Sequence, residues 1–426
     1  MIGYAGLSHL GLVSSVAAAA KGFDVIGFDQ DPETVDRVSA GHLPIVEPGL
    51  PELLAAQRDR LTFTSDVSQL ARCRVVYVSV DVPTDERHNS DLRPVERLLR
   101  QVADAAQPGT IIVVLSQVPP GFCRGQRAGV EERGSRLFYQ VETLVFGRAV
   151  ERALTPERFM IGCADSVAPL PPELERFLSA FGCPLLPMRY ESAELCKISI
   201  NLFLVSSVST TNMLAEICEA VGAEWREIAP ALRLDKRIGP SAYLTPGLGV
   251  GGGNLTRDLE TIRSLASLHG TDAGIIDAWS ENTRHRRDWA LTTVHRTVLA
   301  SVPNATLGVW GLTYKENTQF TKNSPSLHLI GQLRGVPISA YDPAGRLSAE
   351  DTPPWLRISS SPLDACRGTD GLVVMTPWPE FSAIEPATIA AAMRGRVLID
   401  PFGVIDQAVA VRHGLSHYRL GTGHQA

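Results

Sequence analysis

Short apolar runs alternate with helix-like segments through roughly the first 190 residues of the chain. Five of these runs have the length of buried strands, and the stretches 11–21 and 95–106 between them carry apolar residues at helical spacing. Strands that alternate with helices form βαβ units, so the pattern predicts a parallel sheet covered by helices. The predicted strands are residues 1–5, 24–28, 74–80, 110–115 and 159–162.

The pattern changes near residue 191. Residues 192–221 contain neither Gly nor Pro and are rich in Ala, Leu, Ile and Ser, which predicts one long helix. A helix that is apolar on most faces is usually buried or shared between subunits. A glycine-rich segment, PGLGVGGGNLTRD at 246–258, follows, and a further helical pattern continues to about residue 302.

A second set of strand-like runs opens after residue 302, at 306–310, 338–341, 371–375 and 397–399. The length of 426 residues is too great for one hydrophobic core. We therefore predict an α/β protein with two parallel-sheet domains, 1–190 and 301–426, joined by a central long-helix domain, 191–300. Ligands bind beyond the carboxyl ends of parallel strands, which predicts a cleft between the two sheet domains.

Composition narrows the function classes. Hydrophobic residues make up 44% of the chain and charged residues 20%, and the net charge of −6 argues against a sequence-blind nucleic-acid binder. No apolar run reaches the ~18 residues of a membrane span, and the N-terminus lacks the basic segment of a signal peptide. We therefore expect a cytoplasmic protein with no membrane partner.

The cysteines predict neither a metal site nor a disulfide framework. There are seven, an odd number, and no C-x-x-C pair occurs. Most lie in apolar segments, where a thiol usually serves as a small core residue. The pattern is typical of a reduced compartment. The cysteines are Cys73, Cys123, Cys163, Cys183, Cys196, Cys218 and Cys366.

A dinucleotide-binding motif follows the first strand. The segment Gly6-Leu7-Ser8-His9-Leu10-Gly11 is G-x-G-x-x-G with Ser8 in place of the middle glycine. In this motif the first glycine makes a tight turn, the last lets helix and strand pack closely, and the middle one admits the pyrophosphate. Ser8 is small enough for the site, although we expect it to crowd the phosphates.

An acid at the end of the second strand specifies the cofactor. Asp29 follows Gly11 by eighteen positions, where a carboxylate accepts hydrogen bonds from the adenosine ribose and repels a 2′-phosphate. Glycines alone often mark only a turn. Strand, glycines, helix, second strand and acid in register favour a Rossmann-like domain that binds NAD over NADP.

Blocks along the whole chain resemble one family, the UDP-glucose/GDP-mannose 6-dehydrogenases. They fall in the family's order and spacing, and they imply its fold and its nucleotide-sugar substrate. The blocks are GFDVIGFDQDPETVDRVSAGHLPIVEPGLPELL at 22–54, VSVDVPTD at 78–85, SQVPPG at 116–121, ELCKISINLF at 194–203, DKRIGPSAYLTPGLGVGG at 235–252, GLTYKENT at 311–318 and YDP at 341–343.

The resemblance implies a residue that this chain lacks. The family oxidises C6 of a nucleotide-linked sugar twice, with two NAD, and the second step uses a cysteine four residues before an aspartate. Asn254 occupies that position here, before Asp258. An amide forms no anion near neutral pH and cannot replace a thiolate. Two further positions differ: the family's threonine in the S-T-V-P block is Gln117, and its second glutamate in N-P-E-F-L-x-E-G is Phe146.

The machinery for handling an alkoxide is retained. Lys197 and Asn201 lie four residues apart, hence on one face of the long helix, and can hold a hydroxyl oxygen from two sides. Lys197 would stabilise negative charge or act as a base, and Asp258 would orient a water or Lys197. The first glutamate of the family's block is kept as Glu142, which in the family lies near a catalytic water.

The resemblance also assigns binding residues. It implies NAD contacts at the glycine loop and Asp29, and at three further positions, and it implies substrate contacts in all three domains. A nucleotide-diphosphate sugar and a homodimer are the expected partners. The further NAD positions are Val82, Gln117 and Lys322; the substrate positions are Thr143, Leu144, Lys197, Asn201, Arg237, Tyr243, Gly249, Gly251, Asn254 and Lys315.

Simpler interpretations stay open for single residues. Lys197 alone would more often be a solvated lysine, Asp258 would also serve to cap the following helix, and Asn254 would also suit a loop with left-handed backbone. For Glu142 a structural and a catalytic role are about equally favoured, since its partners have changed.

Three hypotheses for function follow. The first is an NAD-dependent two-electron oxidation of a nucleotide-sugar alcohol to a carbonyl, favouring a ketone on an extended sugar, as in antibiotic amino-octose pathways. The second is a catalytically silent nucleotide-sugar binding protein. The third is a four-electron 6-dehydrogenase that forms a uronic acid with an unusual nucleophile. Neither nucleotide nor sugar follows from the sequence.

Overall fold

The computed structural model describes residues 1–45, 47–85, 90–251 and 253–423, and describes Gly253 and Asn254 by backbone alone. It divides into two compact units, Met1–Ile200 and Asn201–Ala426. The long-helix region spans this division, because the helix predicted near residue 192 runs from Tyr190 to Val221.

The first unit is built on a twisted sheet, within the described residues of eight strands, in the order β3-β2-β1-β4-β5-β6-β7-β8. Adjacent strands are parallel apart from β6 and β7, which pair antiparallel through Tyr139 and Gln140. The sheet therefore matches the predicted parallel architecture, except that β7 and β8 run opposite to the other six strands. The strands are β1 Ile2–Ala5, β2 Val25–Phe28, β3 Leu61–Thr64, β4 Val75–Val78, β5 Ile111–Val114, β6 Arg136–Gln140, β7 Phe159–Cys163 and β8 Leu185–Arg189.

Helices cover both faces of this sheet. The central strands β1, β2, β4 and β5 are buried along their whole length, as expected of strands packed on both sides. One hydrophobic cluster lies on each face, and the stacked rings of Tyr4 and Tyr77, 5.0 Å apart, belong to one of them. The helices are α1 His9–Ala20, α2 Pro32–Ser39, α3 Leu50–Ala56, α4 Arg93–Ala105, α5 Phe122–Glu131, α6 Ala149–Leu154 and α7 Pro172–Ser179, with 3-10 turns Arg58–Arg60 and Val67–Arg72.

The long helix α8, Tyr190–Val221, has a mean hydropathy of 1.3 over its most apolar 18-residue window, and by length and composition alone it would reach across a membrane. The same test is passed by core helices of soluble proteins. Its apolar segments are interrupted by charged side chains, among them Glu194, Lys197, Glu216 and Glu219.

The second unit carries the rest of α8, a helical segment and a second sheet. Within the described residues that sheet has six strands in the order β11-β10-β9-β12-β13-β14, and adjacent strands are parallel. The strands are β9 Leu307–Trp310, β10 Ile338–Tyr341, β11 Leu356–Ile358, β12 Gly371–Val374, β13 Val397–Ile399 and β14 Ser416–Tyr418.

The helices of the second unit fall into a helical group before β9 and a group that covers the second sheet. The first group is α9 Trp225–Leu234, α10 Gly253–His269, α11 Gly274–Arg287 and α12 Trp289–Val294, which continues into a π-helical turn at His295–Leu299. The second group is α13 Pro325–Gln332, α14 Pro362–Cys366, α15 Pro379–Ser382, α16 Pro386–Ala392 and α17 Gln407–Arg412.

Candidate active site

The glycine turn between β1 and α1 has the geometry of a dinucleotide loop. Gly6 has φ +97°, where an L side chain is strained, and a β-carbon there would lie 2.9 Å from the backbone nitrogen of Val80. A β-carbon on Gly11 would lie 1.8 Å from the carbonyl oxygen of Gly6, so α1 could not approach β1 with any larger residue. Both glycines are therefore required by the turn itself.

Ser8 begins helix α1 and points away from the helix end. It is the N-cap residue, its side chain forms no capping hydrogen bond, and its hydroxyl donates to the carbonyl of Ser79 over 3.1 Å. The N–H groups of the first turn of α1 are thus not used by the cap residue and can receive an anion. The expected crowding of the phosphates by Ser8 is reduced because its hydroxyl lies against β4.

Asp29 lies at the end of β2, next to the glycine turn. One carboxylate oxygen accepts the backbone N–H of Leu7 over 2.8 Å and the other accepts that of Asp31 over 3.0 Å. The side chain is half-buried, so lone pairs remain for a further donor. This geometry fits the ribose diol of NAD, and the glycine turn, the uncapped helix end and Asp29 together fit its adenosine ribose and pyrophosphate.

His9, in the glycine loop, contacts residues that are distant from it in the sequence. Its Nε2 lies 3.2 Å from Oε2 of the buried Glu47, and its ring packs against Phe146 with 4.2 Å between ring centroids. Glu47 also accepts the backbone N–H groups of Gly147 and Ala149, over 3.0 and 2.6 Å. Phe146, which the resemblance aligns with a glutamate, therefore makes an aromatic contact with the dinucleotide loop.

The other residues predicted to hold NAD in this unit lie after neighbouring strands. Leu10 is in the first turn of α1 and is buried. Val82 follows β4 and packs partly buried against the hydrophobic core, and Gln117 follows β5. All of these are on the carboxyl side of parallel strands, where a doubly wound sheet binds its ligand.

Glu142 and Lys197 form an ion pair inside the first unit. Lys197 Nζ lies 3.7 Å from Glu142 Oε2, and the two side chains are 13% and 19% exposed. Among the described residues, Glu142 Oε1 is buried and has no hydrogen-bond partner. Burial raises the pKa of Glu142 above its usual range, and the nearby charge of Lys197 only partly opposes this. A carboxylate held in this way is suited to accept a proton.

Asn201 and Asp258 are joined in the second unit. Asn201 Nδ2 donates to Asp258 Oδ2 over 2.5 Å, and Asp258 is fully buried. Arg257, also buried, lies 3.4 Å from the other carboxylate oxygen. The contact fixes the orientation of the Asn201 amide, and Asn201 lies one turn after Lys197 on α8.

The structure distinguishes the two interpretations of Asp258. It lies inside α10, five residues after the first residue Gly253, and therefore does not cap that helix. Asn254 is the second residue of α10, and its side chain lies outside the described residues. The backbone at Asn254 is helical, which differs from the left-handed loop geometry considered from the sequence.

Thr143 and Leu144 lie directly after Glu142, in the connection between β6 and α6. The carbonyl of Thr143 accepts a hydrogen bond from Arg152 Nε over 2.7 Å. The side chain of Leu144 packs against two hydrophobic clusters. Because this side chain is occupied by core packing, a substrate would contact the backbone of Leu144.

Arg237 and Tyr243 lie on the segment between α9 and α10. Arg237 is 89% exposed at its side chain and pairs with Asp235, with 2.6 Å between Nη2 and Oδ2. Tyr243 is half exposed, and its carbonyl accepts the hydroxyl of Thr211 over 3.2 Å. Both side chains are thus accessible on the surface of the second unit.

The glycine-rich segment before α10 approaches other backbone closely at one position. Gly249 has φ +77°, and a β-carbon there would lie 2.6 Å from the carbonyl oxygen of Thr283. Gly251 has open space, with its nearest neighbours at 3.8 Å on Tyr314. Gly249 is therefore required by the fold, while Gly251 leaves room for a ligand.

Two lysines predicted to reach ligands follow β9. Lys315 is half-buried, and its ammonium lies 5.8 Å from the centre of the Tyr314 ring. Lys322 is exposed in the connection before α13. Both lie in the connection between β9 and α13.

The thiols lie in hydrophobic surroundings. Cys196, the neighbour of Lys197, has its sulfur 3.4 Å from Met160 Sδ. Cys218 belongs to a buried cluster with Trp225, and burial raises the pKa of its thiol. Among the described residues, no disulfide links these cysteines and no three His, Cys, Asp or Glu side chains are grouped to hold a metal ion.

Two contributors to the site were missed from the sequence. Arg257 directly precedes Asp258, so its contact with that carboxylate could have been predicted from the sequence. Glu47 lies 38 residues from His9 and about 100 from Gly147 and Ala149, and short-range spacing carries no information about such a contact.

Family models match three consecutive parts of the chain: the NAD-binding domain of the UDP-glucose/GDP-mannose dehydrogenase family over residues 1–173, its central domain over 191–284 and its UDP-binding domain over 308–407. Similar proteins include the UDP-glucose 6-dehydrogenase of Rhizobium meliloti (strain 1021), 30% identical with 98% of each chain covered.

A solved structure shares the fold across nearly the whole chain. The UDP-glucose dehydrogenase from the hyperthermophilic archaeon Pyrobaculum islandicum has a TM-score of 0.86 and 26% identity, with 99% of this chain and 98% of that one covered. The matched domains, the NAD geometry and this likeness agree. The chain is a member of the UDP-glucose/GDP-mannose dehydrogenase family, an NAD-dependent nucleotide-sugar dehydrogenase that acts on CH–OH groups.

Proposed function

We propose that the chain oxidises an alcohol of a nucleotide-linked sugar by two electrons and releases the carbonyl, with no second oxidation to an acid. The observation that carries the proposal is a site in which the residues for handling a hydroxyl group are kept and the thiol is missing. Glu142 pairs with Lys197 and Asn201 with Asp258, whereas position 254 is an asparagine.

The retained residues have distinct tasks. Lys197 stabilises negative charge on the substrate oxygen, and the amide of Asn201, held by Asp258, donates a hydrogen bond to the same oxygen. Glu142 Oε1, which has no partner among the described residues, accepts the hydroxyl proton. Bound NAD supplies the hydride acceptor. The C–H and O–H bonds break, the carbonyl forms, and the electrons of the C–H bond leave as hydride.

The second oxidation needs a nucleophile that this chain does not offer. An aldehyde is oxidised through a covalent thiol adduct, and an asparagine amide has no anion accessible near neutral pH. The neighbouring thiol of Cys196 contacts Met160 and lies among apolar groups. The reaction therefore ends at the carbonyl.

A ketone is the product that suits this endpoint best. A secondary alcohol on a sugar extended beyond six carbons gives a ketone, which cannot be oxidised further and needs no thiol. Phe146, packed on His9, and Gln117 would then reshape space for the larger substrate. A ketone also prepares a carbon for transamination, the step expected in antibiotic amino-octose biosynthesis.

The proposal includes a homodimer in the cytoplasm. Helix α8 exposes large apolar side chains, including Phe203 at 76% and Val221 at 70%. An exposed apolar row on one long helix is typical of a subunit interface, and a second copy would cover it. Light scattering behind a sizing column would report a dimer for the wild type, and a monomer for Phe203→Glu.

A panel of UDP- and GDP-linked sugars tests the activity itself. We expect NADH absorbance with at least one sugar, and a product two mass units lighter than the substrate by mass spectrometry. Lys197→Met is the matched inactive control. If no sugar yields NADH and one nevertheless binds tightly, the chain is a silent binding protein and the proposal fails.

A four-electron reaction is the second candidate. It is favoured by the names of the relatives, several of which are UDP-glucose 6-dehydrogenases, and by retention of Glu142. A uronic acid among the products would establish it. That product requires one oxygen from water, so the mass change relative to the substrate would be a gain of about fourteen units, readily separated from a loss of two.

A further inference from the structure

A buried carboxylate joins the cofactor loop to the segment that carries Glu142. Glu47 lies in the connection between α2 and α3, and its side chain is fully buried. Its Oε1 accepts the backbone N–H of Ala149 over 2.6 Å, and its Oε2 accepts that of Gly147 over 3.0 Å and lies 3.2 Å from His9 Nε2. Both carboxylate oxygens are therefore occupied, which offsets the cost of burying the side chain.

Glu47 acts as the cap at the start of helix α6. The N-cap residue Arg148 pairs with Glu151, and the first residue of the helix, Ala149, donates its N–H to Glu47. Gly147, with φ +83°, donates from the turn directly before the helix. The direction in which the chain enters α6 is thus fixed by a residue about 100 positions away.

Helix α6 in turn fixes the segment before it. Arg152, in the last turn of the helix, donates from Nε to the carbonyl of Thr143 over 2.7 Å. Thr143 directly follows Glu142, and the charge of Arg152 acts on the Glu142 carboxylate. The position of Glu142 therefore depends on α6, and through α6 on Glu47.

At its other end the contact reaches the first turn of α1. His9 is the first residue of that helix, and its ring lies between Glu47 and Phe146, with 4.2 Å between the two ring centroids. The N–H groups of this turn are those that an NAD pyrophosphate would meet. Phe146 directly precedes Gly147, so the ring of His9 contacts both the carboxylate and the turn that the carboxylate holds.

The apolar sides of α1, α3 and α6 also pack together, in one buried cluster. Apolar packing keeps the helices close but is not directional, whereas hydrogen bonds are. The orientation of the first turn of α1 relative to the turn before α6 is therefore set by Glu47 more than by the cluster. The cluster contains Leu12, Val13 and Val16 of α1, Leu50 and Leu54 of α3 and Ala149 of α6.

We propose that Glu47 is a positioning residue that holds the first turn of α1 and residues 142–149 in one fixed arrangement. Through His9 it aligns the turn that binds NAD, and through α6 it aligns Glu142 with Lys197. The second part rests on the proposed role of Glu142 as the proton acceptor, whereas the first part needs only the NAD-binding domain. Loss of the carboxylate then weakens NAD binding and changes the titration of Glu142, although Glu47 itself is fully buried.

Titration calorimetry of the full chain with NAD, in the absence of any sugar, tests the first part. Glu47→Gln replaces one accepting oxygen by an amide nitrogen, and we expect NAD to bind about tenfold more weakly. His9→Phe keeps a ring against Phe146 and removes the contact with Glu47, so it should weaken binding by about the same factor. Glu52→Gln, the same change at an exposed acid of α3, should bind NAD as the wild type does.

The double variant separates positioning from general stabilisation of the fold. If Glu47 acts on the NAD turn through His9, both substitutions remove the same interaction, and the double variant should bind NAD about tenfold more weakly than the wild type. An additive loss of about a hundredfold would overturn the proposal. So would wild-type affinity in His9→Phe, a variant that leaves both backbone hydrogen bonds of Glu47 in place and is expected to fold.

The pH profile of kcat, with the sugar that supports turnover, tests the second part. Burial raises the pKa of Glu142, so a segment that moves into water should lower that pKa and shift the acid limb to lower pH. Glu47→Asp keeps the charge and shortens the side chain, and we expect it to shift the limb by about half a pH unit or more.

A limb that shifts in Glu47→Gln and stays in place in Glu47→Asp would assign the effect to charge alone and would overturn the positioning of Glu142. If no sugar yields NADH, the proposed oxidation fails, whereas the calorimetric comparison of Glu47→Gln, His9→Phe and the double variant still decides the role of Glu47. The two proposals therefore fail separately.

Discussion

The two sheets contain the same turn with different consequences. In the first, Gly6 has φ +97°, and the residue after it donates its N–H to Asp29 at the end of the neighbouring strand. In the second, Gly311 has φ +94°, and the residue after it donates to Asp342 in the same way, over 2.6 Å. Each turn places a carboxylate where a ribose would bind.

The two carboxylates differ in the number of hydrogen bonds that they already accept. Asp29 is half-buried and accepts two backbone N–H groups. Asp342 is 4% exposed and accepts six hydrogen bonds. Its donors are Leu312 N, Thr313 N, Thr313 Oγ1, Ala344 N, Gly345 N and Trp378 Nε1.

The surroundings of the two turns differ as well. Helix α1 follows Gly6 after two residues and directs its first N–H groups at the turn, whereas α13 begins only at Pro325, well after Gly311. We therefore propose the first turn as a ligand site, whereas the hydrogen bonds of the second turn hold its own domain together. A shared strand–glycine–acid pattern is not sufficient for a dinucleotide site; the acid must keep free lone pairs and a helix must begin at the turn.

The largest expected effect distinguishes the two acids by stability. Asp342→Ala leaves several buried donors without a partner, and we expect it to lower the free energy of unfolding by at least about 4 kcal/mol. Asp29→Ala, the matched change in the first sheet, should cost about 1 kcal/mol, because Asp29 accepts two hydrogen bonds instead of six and one of them, from Asp31, is exposed. Urea denaturation of both variants measures the difference. Equal losses would contradict the comparison.

The next effect separates chemistry from substrate binding. Lys197→Met should lower kcat by about 10²- to 10³-fold, because the charge that stabilises the substrate oxygen is removed. Lys315→Met, in the segment after β9, should raise KM for the nucleotide sugar and leave kcat within about threefold of wild type. The reason is that the lost contact binds the substrate and the transition state equally. Steady-state kinetics with the accepted sugar measures both. A larger fall in kcat for Lys315→Met would reverse the assignment.

A smaller effect tests the cofactor role of Asp29. Asp29→Asn keeps the shape and removes the charge, so we expect NAD to bind about 10- to 100-fold more weakly, the loss of a hydrogen bond to a charged group. NADP should gain relative to NAD, because the 2′-phosphate is no longer repelled. Dissociation constants for both cofactors report this ratio. An unchanged ratio would show that Asp29 serves only the turn.

The smallest effect concerns pH. Burial holds the pKa of Glu142 above its usual range, so a proton-accepting Glu142 places the acid limb of the kcat profile above the ordinary carboxyl range. Arg152 lowers that pKa by its charge, and Arg152→Gln should move the limb to higher pH. Arg148→Gln, at an exposed arginine paired with Glu151, is the control and should leave the limb in place.

Most buried strands were predictable because they carry uninterrupted apolar runs, whereas the buried strand β6, RLFYQ, was missed because its sequence mixes polar and apolar residues. β10 and β13 match the predicted ranges 338–341 and 397–399 at both ends, and the predicted bounds of β1, β2, β4, β5, β7, β9 and β12 differ by one or two residues. Edge strands were missed because their sequences are mixed: β8 contains a proline and is largely exposed, and β14 is the polar triplet Ser416–Tyr418. The reversed direction of β7 and β8 was also missed, since an apolar run does not encode direction.

The site residues also divide into those that a local sequence pattern predicts and those that it does not. Lys197 and Asn201 were predictable from helical spacing, and Gly6, Gly11 and Asp29 from a local motif. The pairing of Glu142 with Lys197 joins residues 55 positions apart, and the Phe146–His9 contact joins residues 137 positions apart. Such contacts are produced by the sheet topology, in which strands that are distant in sequence end at one edge of the sheet. No local sequence pattern predicts them.

The ratio of NADH formed to nucleotide sugar consumed tests the central claim most directly. The sugar that supports turnover is supplied in limiting amount with excess NAD, and the reaction is followed to completion. A two-electron oxidation predicts about one NADH per sugar, with a carbonyl product. About two NADH per sugar, with a carboxylic acid as product, would contradict the account, because four electrons require two hydride acceptors.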